Sequence, residues 1–134
     1  PTWDKKMKLI SEGVWQAPAG IVHLTGDDVA FLEREAKNTQ KRRARILAHP
    51  DPEARLHEML IAFCRDSWNP PHAHEKVESM LVLKGMMTVE FPGDGPFSKR
   101  LVVIHAGEFL RIPAGVVHQP LPVTDCVVME TVEK

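Results

Sequence analysis

With 134 residues, 43% of them hydrophobic and 26% charged, the chain has the length and composition of one ordinary globular domain, which excludes disordered, collagen-like and membrane-embedded classes. A formal net charge of −1 supplies no field to hold nucleic acid phosphates, and no stretch approaches the roughly 20 apolar residues that span a bilayer. Neither a nucleic acid nor a membrane is therefore an expected partner.

Residues 1–12 contain no apolar core of the signal-peptide kind, and Cys64 and Cys126 form no C-x-x-C pair, so the chain reads as cytoplasmic with both thiols reduced and buried. An apolar tract around Met7 to Ile10 leads to a Pro-Ala-Gly break at Pro18 to Gly20 and a second apolar run, Ile21 to Leu24. A helix is expected next, over about 26–39. Thr25 is its N-cap with Asp28 three residues on, acids lie early, and Lys37, Lys41 and Arg42 lie late, which suits the helix dipole.

From Arg43 the hydrophobic period shortens to two, and Gly or Pro interrupts it every eight to twelve residues, the pattern of a sandwich or barrel. Strands are expected near 43–48, 57–64, 79–83, 86–91, 100–104, 109–112, 116–119 and 126–131. With no βαβ unit in that array, antiparallel pairing is expected throughout. The organisation read from this is one domain over 1–134, with an N-terminal extension over 1–42 and a β-barrel over 43–134. Met80 to Leu83 and Val127 to Met129 are apolar on both strand faces, so either the helix or a second copy of the chain must cover the outside, which favours a homodimer.

Two blocks carry the chemistry. In the first, Pro70-Pro-His-Ala-His-Glu-Lys-Val-Glu78, His72 and His74 leave an extended strand on one face, and Glu78 can turn back toward the same point. The second, Gly107 to His118, sets one more histidine just after a tight Pro113-Ala-Gly115 turn. Imidazoles with a carboxylate suit Fe, Mn, Ni, Cu or Zn rather than Ca or Mg.

These blocks resemble the paired motifs of the cupin superfamily. His72, His74, Glu78 and Gly85 match the first motif, and Gly107, Pro113, Gly115 and His118 the second. The family's leading Gly is Asp66 here, and the Asn that often closes the second motif is Pro122; both lie outside the ligand set. The resemblance implies an all-β, RmlC-like antiparallel double-stranded β-helix or jelly-roll barrel with a short N-terminal helix. It also implies one divalent transition metal per chain, held by His72, His74, Glu78 and His118 with one or two positions open to water or substrate. A narrower resemblance, through Lys41-Arg-Arg-Ala-Arg45-Ile-Leu-Ala-His49-Pro50 and Met59 to Ala62, is to WbuC-type cupins of bacterial polysaccharide gene clusters, with Ala73 where a basic residue often sits.

The function expected is that of a small metal-binding cupin, an enzyme of isomerase or oxygenase type acting on a small polar molecule, sugar-derived or anionic. A metal- or ligand-binding sensor, a metal-free sugar-epimerase-like cupin with a histidine base, and a structural dimer with a vestigial site are the alternatives. Arg43, Arg45 and His49 share strand parity and are candidate contacts for an anionic substrate, set against a plain basic strand edge. His23, His57 and His105 read as ordinary polar residues, Glu75, Lys76 and Glu108 as turn or surface residues. Met80 and Val82 share the parity of Glu78, and Trp3, Trp15 and Trp68 are packing elements or sugar platforms.

Overall fold

A computed structural model describes residues 6–134 of the chain; Trp3 lies outside the described residues. Two sheets form the body. The larger has the order β1-β2-β3-β4-β10-β5-β8 and the smaller β7-β6-β9. In chain order these are β1 (Lys8–Ser11), β2 (Val14–Gln16), helix α1 (Gly26–Lys37), β3 (Arg43–Leu47), β4 (Leu56–Phe63), β5 (Glu78–Lys84), β6 (Met86–Pro92), β7 (Lys99–His105), β8 (Phe109–Ile112), β9 (Gln119–Pro122) and β10 (Cys126–Glu133).

Alternation along the strands sorts side chains into two cores. Met59, Ile61 and Phe63 of β4, Met80 and Val82 of β5, and Val128 of β10 point inward to meet Met87, Val89 and Ile104 of the smaller sheet. Leu60, Ala62 and Val127 point the other way and pack under Leu32 and Ala36 of α1. The helix is thus the cover that the two-faced apolar strand β10 requires, and it starts where expected, with the Thr25 amide donating to Asp28 Oδ2 at 2.7 Å. It ends at Lys37 rather than near 39, where the Thr39 hydroxyl bonds the carbonyls of Ala36 and Arg43 instead.

Three expectations are corrected. The N-terminal extension contributes β1 and β2, which lengthen the large sheet. Pairing is not antiparallel throughout: β2 runs parallel to β3, with Val14 opposite Arg45 and Gln16 opposite Leu47. The physical reason is α1, which carries the chain back between the two strands and makes β2-α1-β3 a crossover unit. The strand expected over 116–119 lies instead at Gln119–Pro122, where Pro120 and Pro122 are tolerated because β9 is the edge of the small sheet and needs no inward N–H there.

Gly85 links β5 to β6 with φ +83, and a β-carbon there would lie 2.3 Å from the Asp125 carbonyl oxygen, so both backbone conformation and space demand glycine.

Candidate metal centre

The centre is assembled where two distant stretches of backbone are tied together. His72 and His118 exchange both backbone hydrogen bonds, 2.9 Å each way, and the Gly115 amide donates to the His74 carbonyl at 2.8 Å. Gly115 has φ +77, a left-handed value that turns the chain after Pro113 and delivers His118. Glu78 opens β5 on its inward face, opposite Val132 of β10 and Ile112 of β8.

One ligand atom from each of His72, His74, Glu78 and His118 lies within 4.8 Å of every other. The Nε2 atoms of His118 and His74 stand 3.0 and 3.1 Å from Glu78 Oε2. Glu78 and His118 are buried, while the His74 side chain keeps 32% of its surface exposed and marks the side open to solvent. Two of the ring tautomers are fixed by backbone carbonyls, which can only accept. His72 Nδ1–H donates to Pro70 O at 3.1 Å and His118 Nδ1–H to Val116 O at 2.9 Å, leaving both Nε2 lone pairs toward the centre.

Chemically, the centre is a meeting of acceptors. His74 Nε2, Glu78 Oε2 and His118 Nε2 are buried and, despite their short separations, none has a partner in hydrogen-bonding geometry. Burying such atoms unpaired costs on the order of 1–3 kcal/mol each. A cation at their common focus satisfies all three, so the donor set fits a divalent transition metal.

Without an ion, the electrostatics favour the neutral ring at His74 but the protonated ring at His118. Burial and the neighbouring imidazoles of His72 and His118 hold His74 below the usual histidine range, although Glu78 works against them, which keeps its lone pair free. For His118 burial pulls the same way, but Glu78 and the Val116 carbonyl outweigh it and raise the value. Burial alone would raise Glu78; the contacts with His118 and Glu130 and the charges of His118 and His74 instead hold it below the ordinary carboxylate range.

Glu130 is the residue that sequence reasoning missed. It projects inward from β10, with Oε1 3.9 Å from His74 Nε2, and is buried. Burial first, then the charge and hydrogen bonding of Glu78, push its carboxyl up to about 8. One available signal was a lone acid at an inward parity in the apolar run from Cys126 to Val132.

A cavity of about 590 Å³ opens onto the four residues and is lined also by Arg43, Arg45, Asn69, Met80 and Glu130. Arg43 and Arg45 thus reach the site, and His49 does not. His49 lines a second cavity, of about 900 Å³, between α1 and the outward face of the large sheet. β3 ends at Leu47, so parity no longer governs position 49. The His49 ring is buried, stacks on His57 at 4.1 Å between centroids and accepts the Glu58 amide at Nδ1, 3.1 Å away.

The remaining candidates are peripheral. His23, Glu75 and Lys76 are exposed, and His105 pairs with Glu108 on the surface at 3.0 Å. Trp15 meets Phe31 edge-on at 5.1 Å, Trp68 is 62% exposed, and Met80 and Val82 belong to the inner core.

A family model described as a domain of unknown function, DUF6016, matches residues 24–103. No curated protein matches the chain. Among solved structures, an RmlC-like cupin from Shewanella frigidimarina is similar over 96% of this chain and 83% of its own, with TM-score 0.59 and 16% identity. A cupin superfamily protein from Desulfitobacterium hafniense is similar over 68% of this chain and 76% of its own, with TM-score 0.56 and 12% identity. At those identities the likeness establishes the fold, a cupin jelly roll. An oxalate oxidase is similar over 60% of this chain, with TM-score 0.51 and 27% identity, and the match spans 42% of that oxidase chain.

Proposed function

The chain belongs to the DUF6016 family, a domain of unknown function, and we propose that it is a one-domain, metal-binding cupin over residues 1–134 whose cavity acts on a small polar molecule. His72, His74 and His118 contribute Nε2 and Glu78 contributes Oε2 to one divalent transition metal, with Fe, Mn, Ni, Zn and Cu all compatible with that donor set. The observation that carries this is the set of three buried acceptor atoms, on His74, Glu78 and His118, that face one another without hydrogen bonds.

When bound, such an ion supplies Lewis acidity or redox chemistry at the one or two positions the four donors leave open. The protein's own part is to hold and enclose. The Pro70 and Val116 carbonyls fix two imidazole tautomers, the buried Glu130 borders the same cavity, and Met80, Ile61 and Phe63 line it with hydrocarbon. Open coordination beside a cavity of about 590 Å³ favours an enzyme of isomerase or oxygenase type over a sensor. The oxalate oxidase likeness, one of whose structures holds the substrate analogue glycolate, supports a small organic acid. The WbuC-type resemblance of the 41–50 run supports a sugar-derived molecule instead.

Elemental mass spectrometry of the purified protein tests the metal: about one ion per chain is expected, lost in His72→Ala and His118→Ala, and retention in both variants overturns the ligand assignment. A screen of keto acids, sugar phosphates and sugar nucleotides then separates enzyme from sensor, since an enzyme turns one of them over and loses that turnover in Glu78→Ala. Turnover by a protein shown to carry no metal favours the epimerase-like alternative, with His118 beside Glu78 as the base. We also propose a homodimer, supported by the outward Leu81, Leu83 and Phe109, and a cytoplasmic location, supported by two free buried cysteines.

A further inference from the structure

We propose that Arg43 and Arg45 form an oxyanion clamp in the wall of this cavity, so that the molecule it selects carries a carboxylate or phosphate group. The inference rests on the cavity being the ligand site and not on the metal.

β3 sets the two arginines where a barrel wall normally holds hydrocarbon. Ala44 and Ile46 face the helix side, while Arg43 and Arg45 alternate with them and lie opposite Phe63 and Ile61, both members of the inner core. Two guanidiniums on one inward face repel each other, and burial together with Arg45 holds Arg43 below the usual guanidinium value. Ordinarily such a pair is neutralised by carboxylates. Among the described residues neither arginine makes an ion pair, whereas the neighbouring Arg42 meets Asp66 at 3.2 Å on the surface. Of the cavity's own acids, Glu78 faces His118 and His74 at 3.0 and 3.1 Å, Glu12 accepts the Gln40 amide at 2.6 Å, and Glu130, whose charge acts on both arginines, forms an ion pair with neither.

The donors are mostly unspent, and those of Arg43 are anchored. Arg43 gives Nη1 to Asn69 Oδ1 at 2.9 Å. Asn69 is itself 4% exposed, donates to Ser67 Oγ at 2.9 Å and accepts Gln119 Nε2 at 2.9 Å on its carbonyl. Arg45 has only the Met59 sulfur, 4.0 Å from Nη1. A guanidinium carries five N–H donors in a planar fork, so most of this capacity is free for the two oxygens of a carboxylate or phosphate. Lys41 lines the same cavity and adds a third positive charge.

Isothermal titration of the full chain, first treated with chelator and then reloaded with Mn²⁺, tests the clamp with lactate, succinate and inorganic phosphate as probes and lactamide as the neutral control. At least one anion should bind the chelator-treated protein and lactamide should not. Arg43→Met and Arg45→Met should each weaken that anion by about ten- to a hundredfold, the loss of one or two charge-assisted hydrogen bonds. Lactate or succinate alone identifies a carboxylate site, and phosphate alone a phosphate site. Arg45 is exposed, so its variant reports even if Arg43→Met fails to fold. The clamp is overturned if no anion binds better than lactamide, or if Arg45→Met binds every anion as the wild type does. Arginine-dependent anion binding in a protein that takes up no Mn²⁺ leaves the clamp standing and defeats the metal proposal; Mn²⁺ uptake with arginine-independent binding does the reverse.

Discussion

At position 130 the chain places a carboxyl on the inward face where its neighbours of the same parity, Val128 and Val132, present hydrocarbon. Its value of about 8, raised from an ordinary 4.5, has a thermodynamic consequence. Between those pH values the folded protein holds a proton that the unfolded chain has lost. The stabilisation is therefore complete below about 4.5 and disappears as pH rises through about 8. Urea unfolding in chelator should show wild-type stability falling across that window relative to Glu130→Gln, by up to about 1.4 kcal/mol per pH unit. Parallel profiles for the two proteins would remove Glu130 from the account. At this scale the sequence was most informative where chemistry depends on short spacing: two histidines two apart, a carboxylate four further, a histidine three past a turn glycine. Glu130 has no such local context. Its role comes from the β10–β5 register, in which it lies opposite Met80 and so diagonal to Glu78.

Among the elements, β3 has two tasks, with Ala44 and Ile46 under the helix and Arg43 and Arg45 in the cavity. The helix acts only on the first. Leu32 is 0% exposed and belongs to the outer core, so Leu32→Ala should cost about 2–5 kcal/mol in chemical denaturation while leaving metal content unchanged. Loss of metal from the folded variant would mean that the two cores are coupled. Gly85→Ala tests the β5–β6 turn, because its β-carbon would strike the Asp125 carbonyl, and destabilisation above about 1 kcal/mol is expected from the positive φ alone. The helix, β8 and most of the barrel strands were legible because capping residues and period-two alternation are local signals. β1 and β2 were not, being four and three residues long, with burial patterns that show no alternation. The expectation for His49 failed because where a strand stops depends on tertiary pairing; the Ala48 amide bonds the Glu58 carbonyl and the chain then leaves the sheet.

For the whole molecule, the helix covers the outward faces of β3, β4 and β10 but leaves Leu81 37%, Leu83 45% and Phe109 63% exposed on β5 and β8. A second copy related by a two-fold axis presents the same face in return, so the proposed homodimer should appear in sedimentation velocity and be weakened by Phe109→Lys. A wild-type monomer at micromolar concentration would contradict it. The sandwich-or-barrel class follows from the regular turns and alternation between Arg43 and the C-terminus, and the jelly roll from the cupin resemblance, but the parallel β2–β3 pair depends on a crossover that period analysis of single segments does not reveal. What the fold accomplishes is to bring a histidine pair and a glutamate from one segment against a histidine from another, through the paired backbones of His72 and His118. Anomalous diffraction from a crystal grown with Mn²⁺ or Zn²⁺ tests this directly. A single strong peak about 2.0–2.2 Å from a nitrogen of each of His72, His74 and His118 and from a Glu78 oxygen is the predicted result. A fully loaded protein whose peak lies elsewhere, or whose three imidazoles point away from one another, would contradict it.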